Sequence, residues 1–139
     1  MTAETYLLDT SALLTLIEDE TGAARVEQIL REQPVIITWM SLLEVYYITQ
    51  QERSIAEAER RYALLKVLPV TMICHIDEPL LLTAARLKAK YRLSLADTII
   101  AACAIRQNAT ILHKDPQFEA LAGQAALEAL PYKNAQISV

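Results

Sequence analysis

Residues 5–17 read TYLLDTSALLTLI, a short, largely apolar run that ends at an acid and passes directly into a helical pattern. The run Thr5–Leu8 lacks polar alternation, which is typical of a strand buried on both faces of a sheet. Ala12–Ile17 predicts a first helix. A buried strand followed at once by a helix is the start of a βα unit, so this stretch favours an α/β fold.

Strand and helix patterns continue to alternate along the chain. Further buried strands are predicted at Val35–Thr38, Val70–Ile76 and Thr110–His113, and Leu127–Leu130 is compatible with a last edge strand. Helices are predicted at Ala23–Glu32, at Leu42–Glu52, at Ile55–Lys66, from Asp77 to about Lys90 and from Ser94 to Arg106. We therefore expect one domain over residues 1–139, a three-layer α/β/α sandwich with a central, mainly parallel sheet.

Length and composition narrow the class of protein. A chain of 139 residues can enclose one core, and 53% hydrophobic residues with only two glycines exclude disorder and Gly-rich phosphate loops as organising features. The longest apolar run, Ile99–Ile105, is far shorter than the roughly 20 residues that cross a bilayer, and the first residues lack the layout of a secretory signal. We expect a cytoplasmic protein that does not enter the membrane.

The cysteine spacing argues against a zinc protein, and the net charge argues against a protein that binds nucleic acid through its overall charge. Cys74 and Cys103 lie in apolar stretches without metal-ligand spacing, so both are expected to be reduced core residues and a zinc site is disfavoured. The net charge of −4 provides no whole-molecule attraction to nucleic acid. Any nucleic-acid contact must therefore come from a local group of cations.

Acidic residues occur where the strands of such a sheet end and where helices begin. Asp9 follows the first strand and Asp115 follows the strand at Thr110–His113. Glu44 and Asp97 lie early in helices that begin at the same edge of the sheet. Because ligands of open parallel sheets bind beyond the carboxyl ends of the strands, we expect these four carboxylates to converge there.

Each acid also has a purely structural explanation. Ser41-Leu-Leu-Glu44 and Ser94-Leu-Ala-Asp97 match the capping box of a helix start, and Ser54-Ile-Ala-Glu57 matches it where no function is expected. Asp9 and Asp115 could serve as turn residues. The sequence pattern alone leaves both interpretations open.

Convergence of the acids would have a chemical consequence. Two carboxylates about 4 Å apart repel by roughly 4 kcal/mol at an effective dielectric constant of 20, so a group of four requires protonation or a divalent cation. Ligation by oxygen alone favours Mg²⁺ or Mn²⁺, ions that also bind phosphate oxygens and activate water. The expected chemistry is hydrolysis of phosphodiester bonds.

Four segments of the chain together resemble a known family. They are Leu7-Leu8-Asp9-Thr10-Ser11, the lone Glu44, Leu95-Ala96-Asp97 with the apolar run after it, and Ile111-Leu112-His113-Lys114-Asp115 with Phe118. From Tyr6 to about Leu121 the chain resembles PIN-domain proteins, specifically the small VapC-type toxin ribonucleases of type II toxin–antitoxin systems. The resemblance implies a Mg²⁺- or Mn²⁺-dependent endoribonuclease, a homodimer, and inhibition by a cognate antitoxin.

The resemblance also assigns roles to single residues. It makes Asp9, Glu44, Asp97 and Asp115 the catalytic, metal-binding acids, with Ser11 as an accessory polar group. Many relatives carry threonine or serine where this chain has His113, so His113 is either an accessory group that binds an acid or phosphate, or a buried and satisfied histidine. Under the ribonuclease hypothesis, the nearby cations become candidate RNA contacts; they are Arg86, Lys88, Lys90 and Arg92.

Several other residues have a structural interpretation that is preferred to a functional one. His75 is expected to be a satisfied histidine in the third strand pattern, and Glu119 an exposed charge rather than an additional acid of the site. Trp39, Tyr46 and Tyr47 are expected to pack in the core or at a dimer contact, although stacking on an RNA base is the alternative.

Two other functions remain open at this point. A PIN-like module could bind RNA or protein without cleaving it. A phosphohydrolase could use Asp9 as a covalent nucleophile, but enzymes of the haloacid-dehalogenase type need a second Asp where this chain has Ser11.

Overall fold

The fold is a parallel sheet between two layers of helices, described over residues 4–133 of a computed structural model. The strands are β1 (Tyr6–Leu8), β2 (Val35–Thr38), β3 (Thr71–Ile73), β4 (Thr110–His113) and β5 (Ala126–Ala129). The helices are α1 (Thr10–Ile17), α2 (Ala23–Glu32), α3 (Trp39–Glu52), α4 (Ile55–Lys66), α5 (Glu78–Lys90) and α6 (Leu95–Arg106). A 3₁₀ helix covers Pro116–Leu121.

All paired strands of the sheet run parallel, in the order β3-β2-β1-β4-β5. Strand β1 is central and pairs with β2 on one side and β4 on the other, with Tyr6 opposite both Val35 and Thr110. From β1 the chain adds β2 and β3 on one side of the sheet and β4 and β5 on the other, so the direction of strand addition changes at β1. Parallel sheets form ligand clefts at such a position. The expected α/β sandwich with a parallel central sheet is confirmed.

Alternate residues of the central strands supply two separate hydrophobic cores. Leu7, Ile36 and Ile111 face the core formed with α5 and α6. Leu8 and Ile37, on the other face, pack in the core formed with α1 and α2. Both faces of the sheet are therefore covered, which explains why β1, β2 and β4 consist of buried residues without polar alternation.

Helix α3 begins earlier than the sequence predicts. Its N-cap is Thr38, whose hydroxyl accepts a hydrogen bond from the Ser41 N–H at 3.3 Å, and Trp39 is already helical. Glu44 consequently lies in the second turn of α3, beyond the capping position. The capping-box interpretation of Glu44 is wrong, because the cap lies three residues before Ser41.

The third strand also differs from its prediction. It covers Thr71–Ile73 instead of Val70–Ile76, and it forms an edge of the sheet with partly exposed residues. Cys74 and His75 lie just after it and are exposed, so the expectations of a core Cys74 and of a His75 within the third strand are wrong. Cys103 is buried in α6 as expected. Alternation of apolar residues could not distinguish this edge strand from a central one.

The last strand is confirmed with a small shift. Strand β5 spans Ala126–Ala129 instead of Leu127–Leu130 and pairs with β4. Among residues 4–133, no helix combines the length and the hydropathy needed to span a membrane.

Candidate functional site

A cleft of about 230 Å³ opens at the edge of the sheet where β1 and β4 end. Its walls contain all four acids that the sequence singled out, Asp9, Glu44, Asp97 and Asp115. Other lining residues include Thr10, Ser11, Ser94 and the apolar side chains of Leu14 and Ile48. The topology accounts for Asp9, Glu44 and Asp115, because β1, β4 and the start of the helix after β2 meet at one edge. Asp97 reaches the same edge from the start of α6, the helix that precedes β4.

Asp9 is buried at the base of the cleft, with 2% of its surface exposed. It is the N-cap of α1, and its Oδ1 accepts a hydrogen bond from the Ala12 N–H at 2.9 Å. The Ser11 hydroxyl donates to the same carboxylate, 2.7 Å from Oδ1 and 2.9 Å from Oδ2. The Ser11 oxygen in turn accepts from the Lys114 N–H at 2.8 Å, which ties the end of β4 to the end of β1.

Glu44 reaches the cleft from α3 and is bound by a residue of α1. The Thr10 hydroxyl lies 2.5 Å from Glu44 Oε1 and 3.1 Å from the Ser41 hydroxyl. Thr10 and Ser41 are both buried. Sequence reasoning did not assign a role to Thr10, because only the tertiary packing of α1 on α3 shows its partner.

Asp97 and Asp115 approach from the opposite side. Asp97 is in the first turn of α6, where its N–H donates to the Ser94 hydroxyl at 3.0 Å, so the capping interpretation is correct for this residue. Asp115 caps the 3₁₀ helix by accepting from the Gln117 N–H at 3.0 Å. A structural role at a helix start therefore does not exclude a place in the cleft.

Burial and mutual repulsion raise the pKa of two of the acids. Desolvation raises the pKa of Asp9 to about 7, against the hydrogen bonds from Ser11 and Ala12 that favour the ionised form. Desolvation, followed by the charges of Asp115 and Glu44, raises the pKa of Asp97 to about 6. Within residues 4–133 none of the four acids forms a salt bridge.

The donor set fits a hard divalent cation. It consists of carboxylate oxygens with hydroxyl groups beside them, which suits Mg²⁺ or Mn²⁺ and not a softer ion. As the side chains stand, no three His, Cys, Asp or Glu residues of the described chain are arranged to hold one ion together. The observation in favour of a cation is the buried Asp9, whose charge is stabilised by hydrogen bonds but by no cationic side chain in residues 4–133.

His113 supports the site through the backbone. It is buried, and its Nδ1 accepts a hydrogen bond from the Asp115 N–H at 3.1 Å. Its ring lies between Phe118 and Tyr132, with centroid distances of 5.2 and 6.2 Å, and burial lowers its pKa. His113 is therefore the buried, hydrogen-bonded histidine of the two alternatives, with Nδ1 as an acceptor, and it is not among the residues that line the cleft.

The remaining candidates lie outside the cleft. Glu119 is exposed and accepts a hydrogen bond from the Tyr132 hydroxyl at 2.5 Å. Trp39 packs against the core on the α5 and α6 face, as expected. Tyr46 makes an edge contact with Tyr62 at 6.1 Å, whereas Tyr47 is 43% exposed.

The four predicted RNA-binding cations lie on α5 and on the segment that connects α5 to α6, and all are exposed. Two of them have partners. The Lys88 ammonium donates to the Leu93 carbonyl at 2.6 Å, and Lys90 lies 5.6 Å from the centre of the Tyr91 ring. Arg92 stands two residues before Ser94, which lines the cleft.

Comparison with known proteins agrees with this geometry. The family model of the PIN domain matches residues 6–124. The chain belongs to the PIN-domain family. The resemblance drawn from the sequence is thus confirmed at the level of the family. Among curated protein sequences, none matches significantly.

Solved structures share the fold of this PIN domain at low sequence identity. One is VapBC2 of Rickettsia felis bound to a promoter DNA fragment, with a TM-score of 0.76 and 16% identity over 91% of this chain and 99% of the matched chain. VapBC-1 of nontypeable Haemophilus influenzae gives a TM-score of 0.70 and 19% identity over 90% and 97%. VapC20 of Mycobacterium tuberculosis, described as a toxin that cleaves the sarcin-ricin loop, gives 0.67 and 15% over 83% and 93%.

The raised pKa of Asp9 predicts a pH-dependent cost in stability. Below about pH 4 this carboxyl is protonated in both the folded and the unfolded chain, and between about pH 4 and 7 only the unfolded chain gains by ionisation. In chelating buffer, wild type should therefore lose stability relative to Asp9→Asn as the pH rises through this window. Asparagine retains the N-cap.

Urea unfolding at about pH 4.5 and about pH 8 measures this effect. The stability advantage of Asp9→Asn over wild type should be larger at the higher pH, and saturating Mn²⁺ should reduce it by stabilising the wild type. An advantage that is equal at both pH values would show that burial does not disfavour the charge of Asp9.

Proposed function

We propose that this PIN-domain protein is a Mg²⁺- or Mn²⁺-dependent endoribonuclease and the toxin of a cytoplasmic toxin–antitoxin pair. The observation that carries the proposal is the convergence of four carboxylates on one cleft without a balancing cation from residues 4–133. A structural role alone does not account for such an arrangement, because grouping these charges destabilises the fold.

In this proposal Asp9, Glu44, Asp97 and Asp115 hold the cation. A Mg²⁺ or Mn²⁺ held by these residues would supply the positive charge that polarises a phosphodiester and acidifies a water for hydrolysis. Ser11 orients the Asp9 carboxylate through its hydrogen bonds to both oxygens. Burial beside Asp115 and Glu44 raises the pKa of Asp97, so its ionised form is disfavoured in the chain alone and a bound cation would stabilise it.

An alternative role of Asp9 as a covalent nucleophile is disfavoured by its surroundings. Asp9 is 2% exposed and its carboxylate accepts hydrogen bonds from Ser11 and Ala12, so little of the residue is open to a phosphate ester. Hydrogen bonds to the carboxylate also reduce its nucleophilicity. Hydrolysis by water is therefore preferred over an aspartyl-phosphate route.

RNA binding requires positive charge beside this acidic cleft. We assign phosphate contacts first to Arg86 and Arg92, since Lys88 is engaged with the Leu93 carbonyl and Lys90 lies against Tyr91. Arg92 is the nearest of these cations along the chain to a residue that lines the cleft. Contacts between these arginines and the phosphates of the RNA raise affinity without selecting a base sequence.

A cognate antitoxin is the expected protein partner. The matched structures from Rickettsia felis and Haemophilus influenzae are VapBC complexes, and they align over nearly the whole of the matched chains. A short neighbouring reading frame that encodes a DNA-binding protein would support this part of the proposal.

We further propose a homodimer formed through α5. This helix and the start of α6 expose Leu81 (55%) and Leu95 (63%) beside an apolar groove of about 270 Å³. A second copy related by a two-fold axis would cover these exposed apolar side chains and the groove beside them, which is the kind of surface that homodimer contacts bury.

The nuclease proposal predicts a loss of activity when one acid is neutralised. Asp97→Asn should lower Mn²⁺-dependent cleavage of a mixed RNA panel by about 100-fold or more, because it removes a ligand charge. Asp77→Asn is the matched control, since it replaces the capping acid of α5 outside the cleft and should retain activity. Cleavage that persists in chelating buffer, or equally in Asp97→Asn, would contradict the proposal.

The assignment of Arg92 predicts a change in substrate binding. Arg92→Ala should raise the KM for RNA several-fold with little effect on kcat, and should reduce the salt dependence of binding by about one phosphate contact. Arg31→Ala, an exposed arginine in the last turn of α2, serves as the control. Steady-state kinetics at two salt concentrations test this, and an effect confined to kcat would contradict the assignment.

The dimer proposal predicts that one charge on the α5 face separates the copies. Leu81→Glu should convert a dimer to a monomer in light scattering after gel filtration, because it places a carboxylate in the apolar contact. Leu64→Glu, at an exposed leucine of α4, should remain dimeric. A monomeric wild type, or a dimeric Leu81→Glu, would show that α5 is not the interface.

A further inference from the structure

Thr10 connects two of the acidic elements of the cleft. It follows Asp9 at the first position of α1 and is 8% exposed. Its hydroxyl lies 2.5 Å from Glu44 Oε1 and 3.1 Å from the hydroxyl of Ser41, which is fully buried. The three side chains thus form one hydrogen-bonded group between α1 and α3.

The chemistry of these groups sets the direction of the hydrogen bonds. A carboxylate only accepts, and a hydroxyl has one proton to donate. The Thr10 hydroxyl therefore donates its proton to the hydrogen bond with Glu44, and the Ser41 hydroxyl donates to the Thr10 oxygen. Such a chain polarises the Thr10 hydroxyl and strengthens its bond to the charged acceptor.

Without this bond, Glu44 would be poorly constrained. It is a long side chain in the second turn of α3, beyond the capping position, and it faces the like charge of Asp97 across the cleft. Repulsion and rotamer freedom both favour movement of the carboxylate away from the other acids. The Thr10 hydroxyl opposes that movement and occupies Oε1, which leaves Oε2 as the freer oxygen.

We propose that Thr10, supported by Ser41, is a positioning residue that holds Glu44 beside Asp9 for shared binding of a divalent cation. The inference rests on the proposed metal-dependent function and extends it to a residue outside the acidic set. Ser11 acts in the same way on Asp9, so the two hydroxyls that follow Asp9 orient two different carboxylates.

Titration calorimetry of Mn²⁺ into the full chain tests this inference without relying on activity. Thr10→Val keeps the shape of the side chain and removes its hydroxyl, and should weaken Mn²⁺ binding by about 10-fold or more. Thr10→Ser should restore binding to within about 3-fold of wild type, and Ser41→Ala should weaken it by less than Thr10→Val does. Thr15→Val is the matched control, because it removes a buried hydroxyl of α1 that bonds only the Ser11 carbonyl among the described residues, and it should bind as wild type does.

A double-mutant cycle with Glu44→Gln separates positioning from general damage. If Thr10 acts through Glu44, Thr10→Val should cause little further loss of Mn²⁺ affinity in the Glu44→Gln background. Thermal melting in chelating buffer verifies that each variant is folded. If Thr10→Val does not fold, Ser41→Ala takes its place in the cycle. For RNA cleavage, we expect Thr10→Val to lower kcat more than it raises KM.

The possible failures are distinguishable. Mn²⁺ binding by Thr10→Val that equals wild type, or additive losses in the cycle, would overturn the role of Thr10 and leave the nuclease proposal intact. A wild-type chain that binds no Mn²⁺ would overturn both.

Discussion

Repulsion among carboxylates at one edge of a parallel sheet is the constraint on which the rest of this structure depends. Parallel strands end at the same edge, and the helices that follow β1, β2 and β4 begin there. Asp9 and Asp115 leave the central strands at this edge, while Glu44 and Asp97 enter it from helices. The topology that builds a stable two-sided core therefore also concentrates negative charge, at a cost to folding that a divalent cation would offset.

Short polar contacts keep this edge ordered. Ser11 ties Asp9 to the end of β4, and Thr10 ties Glu44 to the start of α1. The hydrogen bonds that hold Asp9 oppose only part of its desolvation, so its pKa stays raised. Stability and function conflict at this point, because the geometry that makes the cleft competent to bind a cation makes the cation-free protein less stable.

The same local pattern has three different outcomes in this chain. Ser54 caps α4, and its partner Glu57 pairs with two arginines. Ser94 caps α6, yet Asp97 also faces the cleft. Ser41 caps nothing, since Thr38 begins α3, and Glu44 projects from the second turn. A motif of four residues thus specifies a tendency to begin a helix, and the surrounding packing decides whether its acid reaches a site.

Sequence by itself determined the α/β class, the central strands, most helix bounds and the edge at which the acids gather, because hydrophobic periodicity and strand direction are local properties of the chain. Tertiary structure decided that β3 is an exposed edge with Cys74 and His75 outside the core, since neighbours across a sheet are set by topology. It likewise decided the partnership of Thr10 with Glu44, 34 residues away, and the aromatic enclosure of His113. Such contacts depend on how helices pack on the sheet, and nothing in the spacing of residues encodes the distance between two side chains that meet only after folding.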